Sequence, residues 1–313
     1  GPRGWTGGIM TLRIGITGSN GQLGLCLMDL CQQDRDIHIV PFTRDHIDLN
    51  TNLSVDAVRT MIQREQCDVF INTAAYTSVD GAENDIASAY IINEKSPRTL
   101  ATACAQLNIP FLHISTDYVF DGTKNTPYVE TDPVRPLSVY GKSKEAGEVA
   151  VRAAHSQSII IRSAWLFSAY RKNFLKTMIE LGQKKTELSI VSDQIGSPTD
   201  ARDLAIAILS ATRAATSATR DPSIFGTYHY AGTPETSWHG FATEIFVRAQ
   251  KHHLKTPAHL IAIPTSGYPL PAKRPAYSAL SSTRFTQTFG TPASDWGKGI
   301  DDTLKILIQR GEI

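Results

Sequence analysis

Tyr140 and Lys144 stand four residues apart in the segment PLSVYGKSKEAGE. On a helix an i, i+4 pair shares one face, about one turn apart. That spacing predicts an ammonium beside a phenol. A neighbouring cation favours the phenolate and lowers the tyrosine pKa from its reference of about 10, which suits a group that gives or takes a proton near neutral pH. Upstream, the segment HISTDYVFDG offers Ser115, Thr116, Asp117 and Tyr118. A hydroxyl there would hydrogen-bond and polarise a substrate carbonyl, although Ser, Thr and Asp also serve as turn and capping residues. These groups suit the reduction of a carbonyl or the oxidation of an alcohol.

Such chemistry needs a hydride carrier, and Gly18, Gly21 and Gly24 in GITGSNGQLG supply a place for one. The loop follows an apolar run and opens a helical pattern, the context a dinucleotide fingerprint requires. Gly18, Asn20, Gly21, Gln22 and Leu23 are the residues expected along the cofactor, with its pyrophosphate at the helix N-terminus. Phe42-Thr43-Arg44-Asp45 would end the second strand. Thr43 and Arg44 there would accommodate a ribose 2′-phosphate, which favours NADPH, while Asp45 leaves NADH open. Asp48 and Leu49 are placed to meet the adenine. Ala74, Ala75 and Tyr76 follow the third strand, where small residues leave room for a cofactor to cross. Asn93, on the next helix, is either a packing amide or a polar support for the site.

These positions presuppose alternating elements. Strands are expected at Leu12–Thr17, His38–Phe42, Cys67–Thr73, Phe111–Ser115 and from Ser158 to Ile161. Helices are expected at Gln22–Cys31, Val55–Arg64, Ala87–Leu107 and Val139–Ala154. Strands alternating with helices imply a doubly wound parallel sheet, and near-continuous apolar strands imply cover on both faces. Beyond Trp165 helices are expected at Asn173–Gly182, Asp203–Thr212, Gly240–Lys251 and Asp301–Ile308, with a strand at Leu188–Val191. Residues 10–170 would form the nucleotide-binding domain, with 188–215 returning to it. Residues 171–187 and 216–313 would form a smaller substrate-binding lobe. Residues 1–9 (GPRGWTGGI) look like a protease-cleavage remnant with vector residues, and Met10 like the native start.

Thirty-one Lys and Arg balance 30 Asp and Glu, a formal charge of +1, which gives no bulk-charge case for nucleic-acid or anionic-membrane partners. Cys26, Cys31, Cys67 and Cys104 show no CxxC spacing, and the nine histidines show no ligand pattern, so no metal is expected and the thiols read as reduced. No apolar stretch approaches the roughly 18 residues of a membrane span.

Taken in order, GITGSNGQLG, INTAAYTSVDGAE, STDYVFDG, PLSVYGKSKEAGE, RSAWLF, NFLKTM, DQIGSPT and RPAYSAL resemble the dTDP-4-dehydrorhamnose reductase family of extended short-chain dehydrogenase/reductases, from about Leu12 to the C-terminal helix. The resemblance implies a Rossmann-type fold and NAD(P)H reduction of the C4 ketone of dTDP-4-dehydro-L-rhamnose, the last step of dTDP-L-rhamnose synthesis. It implies Tyr140 as proton donor, Lys144 on the nicotinamide ribose and Thr116 on the reacting oxygen. Asp117 and Tyr118 would lie near the sugar or the nicotinamide, and Trp165 would pack a face against the sugar ring. Lys273 and Arg274 would meet the substrate diphosphate or form a surface loop. Some members hold magnesium with acidic residues at a dimer contact; Cys26 occupies such a position here, which argues against that mode. A homodimer is compatible with the resemblance, as is a cytoplasmic enzyme feeding an envelope polysaccharide. Two alternatives stay open: another nucleotide-sugar 4-ketoreductase, or a non-catalytic protein like the regulatory subunit of methionine adenosyltransferase.

Overall fold

The computed structural model describes residues 11–313; the segment read as vector-derived, and Met10, lie outside the described residues. Leu12–Thr17 (β1), Ile37–Phe42 (β2), Val69–Asn72 (β3), Phe111–Thr116 (β4), Ser158–Ser163 (β5) and Gly226–His229 (β6) form one sheet, in the order β6-β5-β4-β3-β1-β2. Every pairing in it is parallel. All of β3 and β5 is buried, as expected of strands covered on both faces. Helices Gln22–Gln32 and Ala201–Thr216 pack on one face through Leu23, Leu27, Leu204 and Ile208. On the other face Val58, Ile62, Leu100 and Val151 come from helices Val55–Arg64, Ser96–Leu107 and Val139–Ala154. The chain runs outward from β1 to β2 and then crosses to β3 on the other side of β1. That reversal opens a crevice at the carboxyl ends of β1 and β3.

A second core lies beyond the sheet. Leu175, Met178 and Ile179, Phe241 and Ile245, and Ile300 and Leu304 bring together helices Phe174–Lys184, Trp238–Lys251 and Trp296–Gln309. Glu187–Val191 pairs in parallel with His259–Ile263 beside them.

Three expectations about these elements need correction. The stretch read as one helix from Ala87 to Leu107 is Ile86–Tyr90, a π-helical turn Ile91–Lys95, and Ser96–Leu107. Pro97 lies in the first turn of the last piece; proline has no N–H to give an α-helical ladder, and the widened turn is where the ladder changes register. Within 188–215, helix Ala201–Thr216 does pack on the central sheet, but Leu188 belongs to the second core. The boundary expected at residue 216 is also displaced, because β6 completes the central sheet and Phe285 packs into the same core. β6 has only four residues, Gly226–His229, too few for an apolar alternation to stand out.

Candidate active site

Gly18 follows β1 with φ +73, and a Cβ there would lie 2.5 Å from Thr73 Oγ1. At Gly24 a Cβ would lie 2.1 Å from the Gly18 carbonyl oxygen. The loop therefore closes tightly only because these positions lack side chains. Helix Gln22–Gln32 begins without a side-chain cap and without an acidic residue in its first turn, leaving N–H groups and the positive dipole end for an anion. The cradle fits a dinucleotide pyrophosphate.

Two connected hollows meet at this loop. The outer one, about 230 Å³, is lined by Thr43, Arg44, Asp48 and Leu49 together with Gly18, Asn20, Gly21, Ala74 and Ala75. The larger, about 710 Å³, shares the last five and adds Gln22, Leu23, Ser115, Thr116, Asp117, Tyr140, Lys144 and Trp165. Most residues singled out in the sequence thus border one continuous cleft.

Helix Val139–Ala154 is capped by Ser138, which accepts from the Gly141 N–H. It carries Tyr140 and Lys144 to the end of β4. Lys144 is 2 % exposed and donates to the Ile114 carbonyl oxygen at 2.7 Å. Burial pushes its ammonium down to about 8, against the raising influence of Glu148. The Tyr140 phenol does not behave as the spacing predicted. Burial pushes it up to about 12; its hydrogen bond with Thr116 lowers it and the Asp117 carboxylate raises it further. The Lys144 ammonium is engaged with the Ile114 carbonyl oxygen, and burial sets the direction of the phenol's shift. The phenol keeps its proton across the neutral range, the state a proton donor requires.

Thr116 donates to Asp117 at 3.1 Å and accepts from the Tyr118 N–H. Asp117 also accepts from Ser278 at 2.6 Å. Burial raises its carboxyl to about 7, opposed by the Ser278 and Thr116 hydrogen bonds. Beneath the cleft the Ser115 hydroxyl donates to Glu148 at 2.6 Å. Glu148 in turn holds Arg162 through both carboxylate oxygens. Ser115 therefore borders the cleft with its hydroxyl already committed.

Several expected site residues lie off the cleft. Asn93 is buried and clasps the backbone of Tyr76, accepting from its N–H at 2.8 Å and donating to its carbonyl at 3.2 Å. Of the two uses considered for it, the structure shows support for the loop after β3. Tyr76 itself does not border the cleft. Tyr118 lies behind Tyr140, edge-to-face at 6.1 Å. Arg274 binds both oxygens of Asp80, at 3.0 and 2.8 Å, so the guanidinium expected on a diphosphate is already occupied by a carboxylate. Lys273 is exposed outside the cleft.

Trp165 borders the cleft, but its ring faces are taken. Trp238 stacks on it at 3.5 Å and 8°. On the other side, a Cβ at Gly196 would lie 2.5 Å from both Cε2 and Cζ2 and 2.9 Å from Nε1. That pattern places it over the ring rather than beside its rim. Trp165 meets the cleft with an edge, which corrects the expected face-on packing against a sugar. Its Nε1 and the Ser163 hydroxyl are buried without protein partners.

Sequence reasoning passed over Ser163, Arg171 and Lys172, all of which line the cleft. Ser163 ends β5 in register with Thr116, and the rule that ligands bind at strand carboxyl ends would have found it. Arg171 and Lys172 carry no such signal. Among the described residues no group of three or more His, Cys, Asp and Glu is placed to hold a metal.

The model of the RmlD substrate binding domain family matches residues 12–308. The dTDP-4-dehydrorhamnose reductase of Burkholderia thailandensis is 39% identical over 96% of this chain and 100% of its own. That of Aggregatibacter actinomycetemcomitans is 40% identical over 92% of this chain and 97% of its own. Among solved structures, the reductase of Clostridium acetobutylicum superposes with a TM-score of 0.86 at 35% identity, covering 95% of this chain and 99% of that one. The Bacillus anthracis reductase, in complex with NADP, gives 0.84 at 34% identity over 94% and 99%. With the glycine cradle, the cleft and the Tyr140–Thr116 pair in place, this match along nearly the whole length makes the chain a member of the dTDP-4-dehydrorhamnose reductase family.

Proposed function

We propose that this protein reduces the C4 ketone of dTDP-4-dehydro-L-rhamnose to dTDP-L-rhamnose with NADPH. The observation that carries the reading is the convergence of Tyr140, Thr116 and Lys144 on one cleft with the glycine cradle, in a chain of this family. When bound, the reduced nicotinamide supplies the hydride. Tyr140 gives its phenolic proton to the C4 oxygen, completing the alcohol. Its raised pKa holds that proton until negative charge develops on the oxygen. Thr116, beside the phenol, would turn its single O–H from Asp117 to that oxygen, fixing the line of transfer. Lys144, anchored by the Ile114 carbonyl, presents its remaining N–H groups to the nicotinamide ribose.

Arg44 borders the outer hollow and is exposed, which suits a 2′-phosphate and supports NADPH over NADH. The Ser163 hydroxyl and Trp165 N–H are buried without protein partners in residues of the other wall, and a small movement on binding would let them bond the ligands. The test is spectrophotometric: purified protein, NADPH and dTDP-4-dehydro-L-rhamnose should give NADPH oxidation with dTDP-L-rhamnose as product. NADPH binding without oxidation would favour a non-catalytic role, and oxidation only with a different ketosugar would reassign the substrate.

A further inference from the structure

The larger hollow carries four charged side chains: Asp117, Lys144, Arg171 and Lys172. The first two are buried and committed, Asp117 to Ser278 and Thr116 and Lys144 to the Ile114 carbonyl. Arg171 and Lys172 are exposed, so both exposed charges of the hollow are positive. Arg171 is also fastened to the glycine loop, its Nε donating to the Asn20 carbonyl oxygen at 2.7 Å. Among the described residues only that nitrogen of the guanidinium has a protein partner. The other four N–H bonds of the fork remain for a ligand. The backbone at Arg171 has φ +54, a left-handed conformation that an arginine adopts at some cost.

We propose that Arg171 and Lys172 form a cationic clamp on a diphosphate lying across the start of helix Gln22–Gln32. The clamp is built from two sides. The uncapped helix start offers backbone N–H groups from below, and the arginine fork and lysine offer charge-assisted bonds from the rim. The carbonyl of Asn20 fixes the guanidinium beside that helix start, because Asn20 immediately precedes its N-cap, Gly21. This placement makes the cofactor diphosphate the expected occupant; the diphosphate of a nucleotide sugar has the same chemistry. The inference rests on the cofactor reading above, but not on which ketosugar is reduced.

The variants are Arg171→Gly, Lys172→Ala and the double substitution. Glycine accepts the left-handed backbone, so the fold should tolerate the loss of Arg171, with an unchanged or raised Tm. NADPH and NADH dissociation constants are measured by fluorescence titration at low and high salt, and KM for the nucleotide sugar in turnover. The expected result is roughly three- to tenfold weaker binding of both cofactors in each single variant. Binding by the double variant should also depend less on salt. Arg171→Lys should recover part of the loss. A rise in nucleotide-sugar KM with cofactor binding unchanged would keep the clamp and assign it to the substrate diphosphate. Loss with NADPH but not NADH would move the pair to the 2′-phosphate and overturn the proposal, as would no change in any arm. A wild type that binds NADPH but leaves the ketosugar unreduced would sink the proposed function and not the clamp.

Discussion

Trp165 and Trp238 lie parallel at 3.5 Å, one at the rim of the catalytic cleft and the other opening the helix Trp238–Lys251 of the smaller lobe. Gln194 accepts from the Trp238 indole N–H at 3.3 Å and fixes that ring. Trp165 has φ +47, so its backbone is strained as its ring is clamped. We predict that Gly196→Ala, which sets a methyl 2.5 Å from the indole, displaces Trp165. The cost should be about 1–3 kcal/mol of stability and a several-fold rise in KM for the nucleotide sugar, with NADPH affinity unchanged. Near-ultraviolet circular dichroism would report the stacked pair, and Trp238→Phe should abolish its coupled signal. An unaltered KM in Gly196→Ala would show that the edge of Trp165 does not contact the sugar.

Tyr140 lines the cleft beside Thr116 and keeps its phenolic proton at neutral pH. Tyr140→Phe should lower kcat by about two or more decades, the scale of general acid–base loss, while NADPH titration stays near wild type. Near-normal turnover in this variant would transfer the proton-donor role elsewhere.

Glu148 is fully buried and binds Arg162 at 2.6 Å, with Ser115 and Arg152 on the same carboxylate. Burial pushes that carboxyl up, but Arg162, Ser115 and Arg152 outweigh it and hold it below its ordinary value. Glu148→Gln leaves the Arg162 charge buried without its counter-charge. The expected loss is about 3–5 kcal/mol, read by urea unfolding. A change below about 1 kcal/mol would mean that solvent or His229, 3.2 Å from Arg162, compensates the charge.

Asp117 gives a pH dependence of definite sign. Its carboxyl rises from the ordinary 3.8 to about 7 in the folded protein, so between those values the folded state holds a proton that the unfolded chain has lost. Its contribution to stability should therefore fall as pH rises through that window and level off above it. The buried His113 and His229, held below their ordinary value, act in the opposite direction. Asp200, also raised to about 7 by burial, acts in the same direction as Asp117. Asp117→Asn should lack this declining contribution, so its thermal-unfolding profile should diverge from the wild type between about pH 4 and pH 7. An identical profile in the variant would exclude Asp117 as a source.

Much of the site was legible because it follows from local chemistry. The glycine spacing, the i, i+4 pair and the hydroxyl-rich end of β4 are each set by neighbours in sequence, and the cleft contains them. What failed to show were consequences of distant approach. The direction of the Tyr140 pKa depended on burial, with the neighbouring Asp117 carboxylate acting the same way. For Arg274 the sequence leaves a substrate diphosphate and a surface loop both open, and the carboxylate that holds it, Asp80, is far away in sequence.

The sequence by itself determined the alternation of elements, the glycine cradle and the i, i+4 placing of Tyr140 and Lys144 on one helix, since backbone sterics and periodicity act over a few residues. Only the tertiary structure decided which polar groups are spent inside the protein and which remain for ligands. Asn93, Ser115 and Arg274 are spent, whereas Ser163, Trp165 and Arg171 keep unpaired donors at the cleft. Hydrogen-bond capacity is consumed by whatever lies nearest in space, and that proximity is created by folding.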